Sequence, residues 1–390
     1  MRTRAPLASV AASLCEARGS IRNQRRSHAA RRAAATGLAL LALACVAADW
    51  QIAEPGWHYE FPRDHHAHRE FKTEWWYFTD NLFDEKGHRF GYELTFFRQG
   101  IQPVAERDPN ASRFIVDDLK FAHFAITDVA GQKFIFEQKT NRGAFGEAGF
   151  DDAKRLAWIE DWSLTANDDG SFRLAASSGA GTIHLDLRPA KPPVVHGENG
   201  VSVKAAGGAN ASHYYSIPRL ETIGDLTMNG QARAVRGESW FDHEWSSSQL
   251  GKGQVGWDWI CVQWEDGAEL MLYRMRLENA GVDPSSSGTW IAPDGAATHL
   301  HASDFQMTPV AFWKSRNGAQ YPIGWRIALP GERVEFNLKA ALDDQELKLG
   351  AITYWEGAID ATGTRDGKTI KGRGYLELTG YAGTLGELRR

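Results

Sequence analysis

A chain of 390 residues has room for two or three domains, and 43% hydrophobic with 24% charged residues excludes an intrinsically disordered chain. Residues 1–48 carry eight Arg and one Glu, a net +7, so in a chain of net charge −5 the remainder carries −12. A body this acidic does not track a phosphate backbone, and no nucleic-acid partner is expected.

The basic end has its own pattern. Arg25, Arg26, Arg31 and Arg32 precede an apolar run from Ala33 to Ala48. A positive region, a short apolar region and small residues at a cut site describe a secretory signal peptide over 1–48. The run is shorter than the ~20 apolar residues of a membrane span. Two cut sites compete. Val46-Ala47-Ala48 suits ordinary signal peptidase, while Ala42-Leu43-Ala44-Cys45 is a loose lipobox that would lipidate Cys45 and anchor the protein to a membrane. The expectation is an exported protein, periplasmic, secreted or lipid-anchored. Beyond Cys45 only Cys261 remains, so the fold must hold by its core rather than by disulfides.

Past residue 70 the dominant period is two. Fifteen Trp and 39 Gly favour strands joined by tight turns over helix bundles. Glu70–Leu82 and Arg89–Arg98 form a first predicted hairpin, with Phe90, Tyr92, Leu94 and Phe96 on one face. Phe121–Thr127 and Lys133–Lys139 form a second. Leu156–Ala166, Phe172–Ser177 and Thr182–Arg188 follow, until Lys191-Pro192-Pro193 interrupts the ladder. Strands resume at Tyr214–Ile217 and Leu220–Thr227, with Asn229-Gly230 as a turn. Then come Arg236–Trp245, Gly256–Glu265, Glu269–Leu277, Gly288–Ile291, Trp325–Ala328, Val334–Lys339, Ile352–Ala358 and Tyr375–Thr379. No long segment has helical period; Asp117–Lys120 and Gln249–Lys252 have room for a single turn. The series predicts an all-β protein of two antiparallel barrels, over 49–225 and 226–390.

The chemistry-bearing residues cluster on three of these strands. Alternation puts Trp240, Asp242 and Glu244 on one face, and Phe241, His243 and Trp245 on the other. A His among aromatics is a candidate proton shuttle, and Asp242 a candidate acid or His orienter. The next strand places Trp257, Trp259, Cys261 and Gln263 together, with Asp258 and Trp264 opposite. Asp258 between two Trp needs a counter-ion, and Arg274 or Arg276 on the hairpin partner can supply it. Glu74-Trp75-Trp76-Tyr77 is a third cluster, whose rings would bind an apolar chain by area and shape. His58, His65, His66 and His68 read as a solvated leader segment. With no zinc spacing, P-loop, nucleophile elbow or dinucleotide fingerprint, no metal and no cofactor are expected.

Glu74-Trp-Trp-Tyr-Phe-Thr-Asp-Asn-Leu82, Tyr214-Tyr-Ser-Ile-Pro-Arg219, Trp240-Phe-Asp-His-Glu-Trp245, Gly256-Trp-Asp-Trp259 and Tyr354-Trp-Glu-Gly357 together resemble the AttH-like / carotenoid 1,2-hydratase family. The resemblance implies two tandem lipocalin-like domains with a pocket near their junction. It also implies cofactor-independent hydration of an isoprenoid double bond through a carbocation, by an acid supported by His, Trp and Tyr. His243 and Trp245 match the family's His and Trp. The family's acid falls on Leu270–Met275, which offers Tyr273 and Arg274 but no carboxylate, leaving Asp242, Glu244 or Asp258 for that role. The expected activity is of hydratase or hydrolase type on an isoprenoid or lipid-like ligand, with a non-catalytic carrier as the rival. The expected site comprises His243, Asp242, Asp258 and Tyr273, lined by Glu74, Trp75, Trp76, Trp240, Trp245, Trp257, Trp259 and Arg274. The oligomeric state stays open.

Overall fold

Two antiparallel sheets carry the chain, which a computed structural model describes over residues 49–385 apart from 109, 113, 153, 209, 350, 351 and 384. The expected signal peptide, Cys45 included, lies outside the described residues. The first sheet takes β1 (Thr73–Asp84), β2 (Arg89–Gly100), β3 (Asp118–Asp128), β4 (Lys133–Asn141), β5 (Ala148–Phe150), β6 (Ala157–Ile159) and β7 (Trp162–Ala166). It continues through β8 (Phe172–Ser177), β9 (Gly181–Pro189), β10 (Val194–Val195), β11 (Ser202–Val203), β12 (Ala211–Met228) and β13 (Gln231–Ser246). The second takes β14 (Gln254–Trp264), β15 (Glu269–Leu277), β16 (Ser287–Ile291), β17 (Ala297–His301), β18 (Gln306–Lys314), β19 (Gln320–Leu329), β20 (Val334–Ala340), β21 (Glu346–Leu349), β22 (Ile352–Arg365) and β23 (Lys368–Leu378).

The first sheet runs β4-β3-β2-β1-β13-β12-β9-β8-β7-β6-β5, with β10 and β11 also on β12. It is a nearly closed barrel. Side chains rather than a ladder bring its edges together, as in the Lys139–Glu160 ion pair at 3.0 Å. The second sheet, ordered β17-β16-β15-β14-β23-β22-β20-β19-β18, is a half-barrel. The fold is thus a tandem of lipocalin-like barrels.

The chain passes between the sheets at residues 247–253, not at 225/226, because Asn229-Gly230 turns β12 directly into β13 within one sheet. The single-turn expectations also give way. Asp118–Lys120 is strand, residues 249–252 are not helical, and the short 3-10 turns lie at Arg63–His65 and Val104–Glu106. Tyr214–Ile217 and Leu220–Thr227 are one strand, whose register shifts between Ile217 and Leu220 at Pro218.

Three apolar clusters result. One fills the first barrel with Trp76, Phe78, Phe241 and Trp245, capped by Trp57, Tyr59 and Phe71 of the preceding segment. A second fills the half-barrel with Trp264, Trp325 and Trp355. The third lies between the sheets and joins Tyr77, Tyr214, Trp240, Trp259, Tyr273 and Tyr375. Strands β1, β13, β14 and β23 are therefore apolar on both faces, one toward their own barrel and one toward the other. The sheets approach closely at Gly91, where a Cβ would lie 2.8 Å from that of Ala358.

Candidate active site

Alternation on β13 sorts the predicted residues by face, and the two faces have different surroundings. His243 points into the first barrel. Its Nε2 lies 3.0 Å from Glu74 Oε1, and its Nδ1 lies 2.9 Å from the Asp64 carbonyl and 3.2 Å from the Tyr215 hydroxyl. Glu74 also accepts from His68 Nδ1 at 2.8 Å and from Arg98 Nε at 3.1 Å. Burial alone would raise the Glu74 carboxyl, but His243, His68 and Arg98 hold it well below the usual range. Burial lowers the His243 imidazole in spite of Glu74. Trp76 stacks on His243 with ring centres 4.7 Å apart, and Trp245 on His68 at 3.7 Å.

Three expectations are corrected here. His243, Trp76, Trp245 and Glu74 do not line the inter-sheet cavity, because the barrel they face is filled by its own aromatics and by residues 50–72. His65 and His68 are buried members of this network rather than parts of a solvated leader. Asp258 and Arg274 face the half-barrel core, where Arg274 bonds Asp258 Oδ2 at 2.7 Å and Tyr381 donates to Oδ1 at 2.8 Å. That pair is structural: an ion pair satisfied on both oxygens and away from the cavity.

The opposite faces meet in a cavity of about 170 Å³ between the sheets. Trp75, Tyr77, Trp257, Trp259, Tyr273 and Tyr354 give it aromatic walls. Asp242 and Glu244 enter it from β13. Tyr214 donates to Asp242 Oδ2 at 2.7 Å, while Trp240 Nε1 (2.6 Å) and the Ser216 hydroxyl donate to Oδ1. Trp240 thus positions the carboxyl from behind. Burial still prevails over these donors and pushes Asp242 up to about 7. Glu244 pairs with Lys204 Nζ at 3.1 Å, and that ammonium lies 4.0 Å from the centre of the Tyr273 ring.

Sequence reasoning missed the largest group of acids in the cavity. Glu93 projects from β2, Glu356 from β22 and Glu377 from β23, and the last two are direct cross-strand partners. Like charges directly opposite one another repel, so the pair favours holding protons. Glu93 accepts from the Thr95 hydroxyl at 2.7 Å on one oxygen and has no partner on the other. Burial raises it to about 8, with Glu377 adding to the effect. Burial, then Glu93 and Glu377, push Glu356 well above the usual range. Burial lifts Glu377 to about 7 against a 3.0 Å bond from Trp257 Nε1.

Several other buried carboxylates differ, although Asp80, buried outside the cavity and likewise without an ion pair among the described residues, is also pushed up to about 7. Glu74, Asp118, Asp258 and Glu269 each lie within ion-pair distance of an Arg, whereas Glu93, Asp242, Glu356 and Glu377 form no ion pair among the described residues. His123, at the cavity wall, bonds the Tyr354 hydroxyl at 2.7 Å, and burial drops it to about 3, so it stays neutral. One signal for Glu93 was available. It lies on the face of β2 opposite Phe90, Tyr92, Leu94 and Phe96, an unlikely place for a buried acid unless that face is also covered.

Comparison with known proteins agrees with this architecture. No curated protein matches the chain by sequence. A candidate AttH from Nitrosomonas europaea, solved by crystallography, is similar at 34% identity and a TM-score of 0.76, over 85% of this chain and 99% of that one. Kievitone hydratase from Nectria haematococca shares the fold at 14% identity and a TM-score of 0.63, over 86% and 97% of the two chains. The model of the AttH-like family matches residues 52–381, nearly the whole described chain. This two-barrel protein is a member of the AttH-like family.

Proposed function

We propose that the inter-sheet cavity binds an apolar, isoprenoid or lipid-like ligand and hydrates a carbon–carbon double bond without a cofactor. One observation carries the reading: four buried carboxyls, none in an ion pair among the described residues, surround an aromatic cavity, and burial raises the proton affinity of each toward neutral pH or above. Carboxylic acids of this kind are general acids, and pairs whose environments separate their affinities divide the acid and base roles.

Glu356, the more strongly raised member of the cross-strand pair, gives its proton to one alkene carbon. The π-electron pair forms the new C–H bond, leaving a carbocation on the other carbon. Trp75, Trp257, Trp259 and Tyr77 offer ring faces to that positive charge. A water oxygen then bonds to the cation, and Glu377, the less strongly raised of the pair at about 7, takes the water's surplus proton in its carboxylate form. The sum is alkene plus water to alcohol, with one proton passed from Glu356 to Glu377. The kievitone hydratase likeness adds only the shared scaffold, since fold does not fix chemistry. The Arg-rich, apolar N-terminal sequence supports placing this activity outside the cytoplasm.

The test is a panel of isoprenoid and aryl alkenes in ¹⁸O-labelled water. Binding is read by quenching of Trp fluorescence and product by mass spectrometry. Glu356→Gln should retain binding and lower turnover ~10²–10⁴-fold, while Trp259→Ala should weaken binding. Tight binding of panel members by wild type with no labelled alcohol from any of them would replace this reading with a carrier.

A further inference from the structure

Two places among the described residues bring three metal-ligating side chains together. At the first, His68, Glu74 and His243, the ligating atoms are spent on one another, on Asp64 and on Arg98, whose guanidinium already neutralises Glu74. The second is at the edge of the half-barrel and is differently disposed.

His299 and His301 stand two residues apart on β17, so both rings leave the same face of the strand. Among the described residues that strand pairs only with β16, at the edge of the sheet. Glu198 approaches from the other barrel, at a tight turn between β10 and β11. Glu198 and Val201 exchange both backbone hydrogen bonds, at 3.0 and 3.1 Å, around Asn199 and Gly200 at φ of 53° and 79°. A turn closed in this way fixes where the carboxylate starts. Nδ1 of His299 is buried without a hydrogen-bond partner among the described residues. The three ligand atoms, one from each residue, lie within 4.8 Å of one another.

We propose that Glu198, His299 and His301 form a two-histidine, one-carboxylate site for a divalent transition ion of the zinc class, bridging the two sheets. Zinc bonds imidazole nitrogen and carboxylate oxygen at about 2.0–2.2 Å, which sets tetrahedral ligand atoms roughly 3.4 Å apart. Glu198 and His301 are exposed, and side-chain rotation at these two would close the remaining gap. Imidazole with carboxylate suits zinc better than magnesium or calcium, which prefer oxygen alone. Water completes the fourth position. Two residues before Glu198, His196 bonds Thr289 of β16 at 2.8 Å and the Ser216 hydroxyl at 2.6 Å, and Ser216 donates to Asp242. A bound ion therefore braces the joint beside the cavity wall. The inference stands independently of the proposed hydration.

The experiment uses untagged full-length protein, titrated with Zn²⁺ by calorimetry and with Co²⁺ by visible absorption. One ion per chain should bind, with a Co²⁺ spectrum of tetrahedral or five-coordinate type. His299→Ala and His301→Ala should each weaken binding at least tenfold and abolish the Zn²⁺-induced rise in Tm. Glu198→Gln should weaken it severalfold, and His66→Ala, an exposed histidine elsewhere, should leave it unchanged. The Co²⁺ spectrum of wild type keeps the test decisive even for a variant that folds poorly. No bound ion, an octahedral Co²⁺ spectrum, or affinity unchanged by His299→Ala and His301→Ala would overturn the site.

Discussion

Glu93→Gln isolates the electrostatic cost of one cavity carboxyl. Glu93 is fully buried, with Thr95 as donor to one oxygen and nothing on the other. In the folded protein its affinity for a proton rises from the ordinary 4.5 to about 8, chiefly through burial. The folded state therefore binds this proton more tightly than the unfolded state. Wild-type stability falls as pH rises from 4.5 toward 8, and the loss levels off above that window. At about 1.4 kcal/mol per pH unit, the loss from this side chain is on the order of 5 kcal/mol. Glutamine keeps the shape and never ionises. Urea unfolding followed by Trp fluorescence at a series of pH values gives the comparison. The stability of Glu93→Gln relative to wild type should improve by on the order of 5 kcal/mol between about pH 4 and pH 9. Parallel profiles for the two proteins would refute the reasoning, since they would mean that Glu93 ionises as easily folded as unfolded.

Two other predictions rest on the packing of the first barrel and a third on the N-terminal sequence. His243→Gln should leave cavity binding and turnover near wild type while costing roughly 1–3 kcal/mol of stability, because its partners are Glu74 and the barrel core; calorimetry beside the turnover assay checks both halves. Arg98→Met should cost about 3–5 kcal/mol near neutral pH, since it leaves Glu74 and Asp118 buried without their shared guanidinium; chemical denaturation measures it. Expressed in a Gram-negative host, the chain should be recovered outside the cytoplasm and start near Ala44–Ala48. N-terminal sequencing reads Asp49 for soluble export or a blocked Cys45 for lipid anchoring, and a product starting at Met1 would refute both.

Much of the fold was legible because period two survives in the strands that build it. The Trp240/Asp242/Glu244 and Phe241/His243/Trp245 faces were assigned from alternation alone, and the structure keeps them apart as read. Strands β17 and β18 escaped detection because their edge positions are largely exposed, and β18 carries Pro309. What alternation does not encode is which side of a doubly covered strand is packed and which is hollow. His243 reads as a proton shuttle beside Asp242 because its aromatic neighbours resemble a ligand pocket. Those aromatics instead fill the barrel, together with Trp57, Tyr59 and Phe71 from a segment whose histidines suggested solvent. Glu93, Glu356 and Glu377 converge from three separate strands across two sheets, a juxtaposition that only the packing of the half-barrel on the first barrel creates.

The central claim is that the cavity acids hold their protons at neutral pH, and infrared spectroscopy tests it most directly. Protonated carboxyl groups absorb in a C=O band distinct from that of carboxylates. Wild type near pH 7 should show this band, and raising the pH through about 8 should diminish it as Glu93 and Glu377 ionise. The Glu93→Gln/Glu356→Gln double variant should lose a large part of the wild-type intensity. A wild-type spectrum with no protonated carboxyl near neutral pH, or a band left intact by the double variant, would contradict the account.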